Sequence, residues 1–183
     1  MKVFVAGGTG VVGKRLVPLL VKSGYEVVAT TRSADRVGWL RGVGAEPVVV
    51  DGLHDDAVKE AVERAEPEVV IHQMSGLSGA KDFKRFDAEF AATNRLRTQG
   101  TDHLLAGAKA AGVARFIAQS FGNWNYERTG SGPKTEQDLL DPDPPAEPAR
   151  PGRALRADDP GCARLVGRGG HRPATQWYRS GRL

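Results

Sequence analysis

One cysteine, Cys162, stands among 183 residues, so no disulfide can form within the chain. Nothing therefore ties it to an oxidising compartment. No apolar run approaches the roughly 20 residues that a membrane-spanning helix needs. The N-terminus opens directly on a strand pattern leading to Gly7 and Gly8, with no cleavage-site pattern, so no signal peptide is read. These absences predict a cytoplasmic protein without a membrane partner. Positive charge is scarcer than it looks. The formal charge is +4 and the pI near 9.4, but from Ala146 onward eight arginines face three acids, Glu147, Asp158 and Asp159, with no lysine. That excess of five leaves residues 1–145 at −1. The part that can fold is not basic, which argues against a nucleic-acid partner. No metal site is expected.

What is present is concentrated near the start. Val3-Phe4-Val5-Ala6 is an apolar run that ends in Gly7-Gly8-Thr9-Gly10-Val11-Val12-Gly13, and a helix pattern begins at once with Lys14-Arg15-Leu16-Val17. Strand, tight turn and helix in immediate succession place unpaired N–H groups and the positive end of a helix dipole at the turn. Gly7 permits the sharp reversal, Gly10 lets a diphosphate approach the backbone, and Gly13 permits close packing of the helix. A purely structural turn would use the same glycines. A P-loop is excluded, because Lys14 is not followed by Ser or Thr in a Gly-Lys-Ser/Thr ending.

This pattern resembles the extended and atypical short-chain dehydrogenase/reductases, the NAD(P)-dependent epimerase/dehydratase family. The resemblance implies a doubly wound α/β fold of the Rossmann type, with Gly7, Thr9, Gly10, Val11, Val12 and Gly13 against the cofactor. Tyr25 to Thr30 reads as the second strand, and the adenosine ribose meets the residues that follow it. No acid stands there to hold a 2′-hydroxyl. Arg32 suits a 2′-phosphate, which favours NADP over NAD; alternatively Arg32 is a solvated loop charge. Ser33 to Gly44 fits a short helix capped by Ser33. Glu46 to Val50 reads as a third strand, apolar enough to be covered on both faces. Asp51 either caps the next helix or, as the resemblance implies, meets the adenine amino group, with Gly52 and Leu53 beside it. The helix from Asp55 to Ala65 turns Ala57, Val58, Ala61 and Val62 inward.

Glu68 to His72 is the fourth strand, and the loop Gln73-Met74-Ser75 beyond it is implied to reach the nicotinamide side of the cofactor through backbone groups. His72 is read as structural. A long helical region runs over 83–111, with Phe86, Phe90, Leu96, Leu104, Leu105 and Ala108 for the core. Within it Gly100-Thr101-x-x-Leu104-Leu105 resembles a family segment. The asparagine usual three residues before that glycine is Arg97 here, and Asn94 lies one turn earlier in a position to replace it. Val113 to Gln119 is the fifth strand, so the predicted sheet order is 3-2-1-4-5.

Ser120 falls at the family's catalytic-serine position. Its partners, a tyrosine and a lysine four residues apart, should follow within one helix. Asp141-Pro142-Asp143-Pro144-Pro145 stands there instead, and prolines exclude a long helix. Tyr126 with Lys134, and Tyr178 with Arg182, do not fit the spacing or the chemistry. The sixth strand and the substrate region are not found either. Seven of the eleven prolines follow Asp141, and residues 146–183 form an Arg/Pro/Gly-rich tail without apolar periodicity. Such a tail is expected to be disordered, and its composition also fits a lost reading frame, which would truncate the fold. The expectation is an NAD(P)-binding oxidoreductase or epimerase of small substrates, nucleotide sugars among them, that is catalytically incomplete. The alternative is a non-catalytic NADP(H) sensor. Exposed sheet edges leave a homodimer open.

Overall fold

A computed structural model describes residues 1–77 and 86–119, isolated residues between 127 and 139, and the backbone of 177–179. Five parallel strands form the sheet: β1 (Lys2–Ala6), β2 (Glu26–Thr31), β3 (Glu46–Val49), β4 (Val69–His72) and β5 (Arg115–Ala118). Four helices alternate with them: α1 (Gly13–Lys22), α2 (Val37–Gly42, after a 3-10 turn over Ala34–Arg36), α3 (Asp55–Ala65) and α4 (Phe86–Ala110). A short strand β6 (Trp177–Arg179) adds antiparallel to β5, and the order is β3-β2-β1-β4-β5-β6. The parallel part follows the order expected from the sequence. No strand was expected in the tail, where β6 lies. An open β5 edge presents a row of unpaired N–H and C=O groups, and the aromatic pair Trp177-Tyr178 favours extended backbone.

Strand alternation divides the core into two layers. Val3 and Val5 face one side with Val17, Val27, Ala29, Leu40, Val69 and Ile71, under α1 and α2. Phe4 and Ala6 face the other with Val28, Val70 and Phe116, under Val58 and Val62 of α3 and Leu104 and Ala108 of α4. Phe4 and Leu104 are at most 1% exposed, so each contributes about 2–3 kcal/mol of burial. With every strand of the parallel set running the same way, Gly7, Thr31, Asp51 and Gln73 emerge along one carboxyl-terminal edge. Ligands bind along such an edge in open α/β sheets.

Several local expectations need correction. The third strand is not covered on both faces: β3 is the sheet edge, and Val49 is 52% exposed. Ser33 makes no side-chain cap, and the helix after it is split into the 3-10 turn and α2. His54, not Asp51, occupies the N-cap of α3. Ala57 lies on the exposed side of that helix, where Ala65 is buried instead. Ser120, Tyr126, Lys134 and the tail from 146 to 176 lie outside the described residues.

Candidate functional site

Between β1 and α1 the chain makes its turn with Gly7 at φ +90°, a backbone conformation that a side chain would strain. The turn is fastened to β2. Gly7 N–H donates to Thr30 Oγ1 at 2.8 Å, and Gly8 N–H donates to the Thr30 carbonyl at 2.9 Å. Gly10 N–H returns to the Gly7 carbonyl at 3.1 Å, while Lys14, Arg15 and Leu16 donate to the carbonyls of Gly10 and Val12. Among the described residues no backbone carbonyl accepts from Val11, Val12 or Gly13. Helix α1 has no side-chain cap and no acid in its first turn. Three N–H groups and the positive helix end are therefore left for an anion.

The glycines divide by what surrounds them. A Cβ on Gly13 would run into the Gly7 and Gly8 carbonyls, and one on Gly7 would lie 2.8 Å from the Gln73 carbonyl. Protein packing accounts for both. A Cβ on Gly10 would meet only the Gly7 oxygen, at 3.3 Å, and otherwise open space. Packing constrains Gly10 far less than Gly7 or Gly13, and its bare backbone fits a diphosphate lying against the loop. Val11 and Val12 flank this cradle with exposed apolar side chains.

At the exit of β2, buried hydroxyls join the turn to the ribose end of the edge. Thr9 Oγ1 donates to Thr31 Oγ1 at 3.0 Å, and Thr31 Oγ1 also engages the N–H and carbonyl of Ser33. Arg32 is exposed just beyond. A second guanidinium, missed in the sequence, reaches the cradle: Arg36 Nη1 donates to the Thr9 carbonyl at 3.3 Å. Its only signal was a position one turn after Arg32. Asp35 lies between them. Its carboxyl is held below the usual value chiefly by the Ser33 hydroxyl, with the Arg36 charge adding to the effect.

The exits of β3 and β4 meet over α4. Asp51 Oδ1 accepts from Leu53 N–H at 3.0 Å, so it closes a tight turn rather than a helix cap. The Gly52 carbonyl accepts from His103 of α4 at 3.1 Å. Met74 packs its thioether against Gly52 and Gly100, beside Leu96. Gln73 N–H donates to the Ala6 carbonyl at 2.8 Å and Gly76 N–H to Thr93 Oγ1 at 3.0 Å. Gln73 Oε1 and Asn94 Oδ1 are buried acceptors without a partner, which fits a donor arriving from a bound molecule. Ser75 is exposed beside them, and Arg97 is buried in α4.

His72 is 4% exposed. Its Nδ1 accepts from Met74 N–H at 3.1 Å, so Nε2 carries the proton and donates to the Leu96 carbonyl at 3.2 Å. Burial pushes its pKa down to about 4, the Leu96 carbonyl works against that shift, and the Arg97 charge reinforces it. A neutral imidazole fixed at both nitrogens ties β4 to α4.

A sequence-family model described as NAD(P)H-binding matches residues 7–144, from the first glycine of the cradle to beyond β5. The chain belongs to the NAD(P)H-binding family. Its fold is that of an epimerase/dehydratase-like Rossmann domain, and its cofactor is a nicotinamide dinucleotide. A 3-diazoavenalumate denitrifying reductase of Streptomyces sp is 40% identical over 166 residues, which are 91% of this chain and 48% of that one. The fold superposes on a UDP-glucose 4-epimerase of Thermotoga maritima with a TM-score of 0.66 at 22% identity, over 85% of this chain and 49% of that one. The Bordetella bronchiseptica enzyme WbmG, solved with NAD, gives a TM-score of 0.66 at 22% identity, over 90% and 49% of the two chains. The chain spans about half the length of each. Among the described residues of this family member no helix is long and apolar enough to cross a membrane.

Proposed function

We propose that this chain is the NADP(H)-binding half of a reductase acting on a small organic substrate. The observation that carries the reading is the cradle at Gly10–Gly13, with three N–H groups that no described backbone carbonyl takes, open space beside Gly10 and the Arg36 guanidinium at the Thr9 carbonyl. Val11, Val12 and Gly13 hold the diphosphate through backbone N–H groups, Thr9 shapes the turn, and Asp51, Gly52 and Leu53 form the adenine wall. Gln73, Met74, Ser75 and Asn94 border the nicotinamide side. Arg32 and Arg36 hold the 2′-phosphate, which is why NADP is preferred over NAD. When bound, the cofactor supplies or accepts a hydride. The reductase relative favours reduction over epimerisation as the reaction of the whole protein, with Ser120 as the group that orients the substrate oxygen.

A second reading, a dinucleotide sensor without turnover, is favoured by the sequence after Ser120, which offers no tyrosine–lysine pair four residues apart. Single-turnover mixing of the NADPH-loaded chain with aldehyde and ketone panels tests the second reading, because consumption of NADPH overturns a sensor without turnover.

Titration of dihydronicotinamide fluorescence tests the cofactor assignment. Gly10→Asp places a carboxylate where the diphosphate lies. It should abolish NADPH binding while the melting temperature stays within a few degrees of wild type, since the site is open. Arg32→Ala and Arg36→Ala should each weaken NADPH by roughly tenfold, as the loss of one charge-assisted bond would, and leave NADH nearly unchanged. Equal losses for the two cofactors would remove the 2′-phosphate assignment.

A further inference from the structure

His103 attracted no attention in the sequence, lying in the middle of a helix pattern 51 residues from its partner. In the fold it reaches the turn after β3. β3 ends at Val49, and beyond the Val50 bond to Thr31 the chain leaves the sheet. Asp51 closes the turn on itself, through Oδ1 to Leu53 N–H and through its carbonyl to His54 N–H. Among the described residues, contacts with the loop after β4 and with α4 anchor the turn. The Met74 thioether fills the space beside Gly52 that a Cβ would take, under Leu96 and Gly100. The other contact is His103 at the Gly52 carbonyl, 3.1 Å away. A carbonyl can only accept, so Nδ1 of His103 carries the proton and donates.

We propose that His103 is a positioning residue for the adenine end of the cofactor, setting the Asp51–Leu53 turn at the depth the purine requires. The inference rests on the dinucleotide reading of this site and names a residue that acts on it through the Gly52 carbonyl. His103 does not touch the cofactor. It fixes the peptide plane between Gly52 and Leu53, and so the direction of the Leu53 side chain and of the Asp51 carboxylate that accepts from Leu53. Gly52 carries no side chain to hold that plane, and glycine leaves the backbone free to rotate. A donor from α4 supplies the restraint that this residue type gives up.

The test compares probes with and without the adenine end on the full chain. Wild type should bind NADPH and ADP-ribose. His103→Leu should weaken both by the same factor, roughly five- to tenfold for one lost hydrogen bond, and leave reduced nicotinamide mononucleotide unchanged. His103→Asn places an amide N–H where Nδ1 stood and should recover affinity to within about twofold, again on the scale of one hydrogen bond. ADP-ribose affinity unchanged in His103→Leu would overturn the proposal, as would failure of Asn to rescue it. Equal weakening of the adenine-free probe would also overturn it, because that pattern marks general damage. Should His103→Leu not fold, His103→Gln takes its place. Its amide overshoots the carbonyl and should lose ADP-ribose affinity relative to Asn at equal melting temperature, whereas equal affinities overturn the assignment. A wild-type chain that binds neither NADPH nor ADP-ribose brings down the dinucleotide reading itself, an outcome distinct from loss confined to the variants.

Discussion

At the scale of single residues, His72 shows how a histidine at a strand end serves architecture. Both ring nitrogens are spent, on Met74 N–H and the Leu96 carbonyl, and the ring is excluded from solvent. Burial lowers its pKa to about 4 from an ordinary 6.5. The sign follows directly. The unfolded chain binds a proton on this ring between those two values and the folded chain does not, so stability rises with pH across the window. The full contribution is present above pH 6.5 and is lost as pH falls through 4. A shift of this size amounts to about 3 kcal/mol. Urea unfolding at pH 7.5, 5.5 and 4.5 should therefore show a steeper loss in wild type than in His72→Gln, which has no titrating ring. Parallel slopes would mean that the ring binds its proton alike in the folded and unfolded chains, so that burial does not lower its pKa.

At the scale of elements, a glycine sets how closely α4 packs on α3. A Cβ on Gly107 of α4 would lie 3.1 Å from the Lys59 Cα and 3.1 Å from the Val62 Cβ of α3. Two effects oppose one another on substitution by alanine. Helix propensity gains roughly 1 kcal/mol, while the new methyl presses on backbone that cannot rotate away, at an overpacking cost of about 1–3 kcal/mol. Sterics should win, and Gly107→Ala should lower the melting temperature. Gly38 in α2 is the control: nothing lies within 4 Å of its Cβ position. Gly38→Ala should raise stability by about 0.5–1 kcal/mol. If both variants shift the same way, propensity rather than the α3–α4 contact governs these positions. The same scale explains what the sequence made legible. The cradle glycines and the presence of the five parallel strands depend on short-range pattern, so Gly7 to Gly13 and the apolar run of Val3, Phe4 and Val5 announced themselves. The strand order followed from the alternation of strands and helices. Arg36 at Thr9 and His103 at Gly52 join residues 27 and 51 positions apart, and no local pattern encodes such meetings. The exposure of β3 was hidden for a related reason. Glu46 to Val49 has the composition of a covered strand, and only the place of β3 at the end of the sheet decides that it is not.

At the scale of the whole molecule, the described core lies early in the chain. Both described apolar clusters are built from residues no later than Ala118, so the Arg-rich tail adds nothing to the described interior. What it adds is β6, three residues paired with Arg115, Phe116 and Ile117 of β5. A chain ending at residue 145 should then keep its melting temperature within a few degrees and bind NADPH as the full chain does, since the cradle and both arginines lie before residue 37. Its β5 edge would be bare, and an open edge templates pairing between copies. Sedimentation velocity should therefore show concentration-dependent association in the shortened chain beyond any seen in the full one. Removal of eight arginines should also abolish any salt-sensitive retention on a polyanion column without touching cofactor affinity. A drop of ten degrees or more in melting temperature, or a loss of NADPH binding, would show instead that the tail belongs to the folded domain and that the boundary at 145 is wrong.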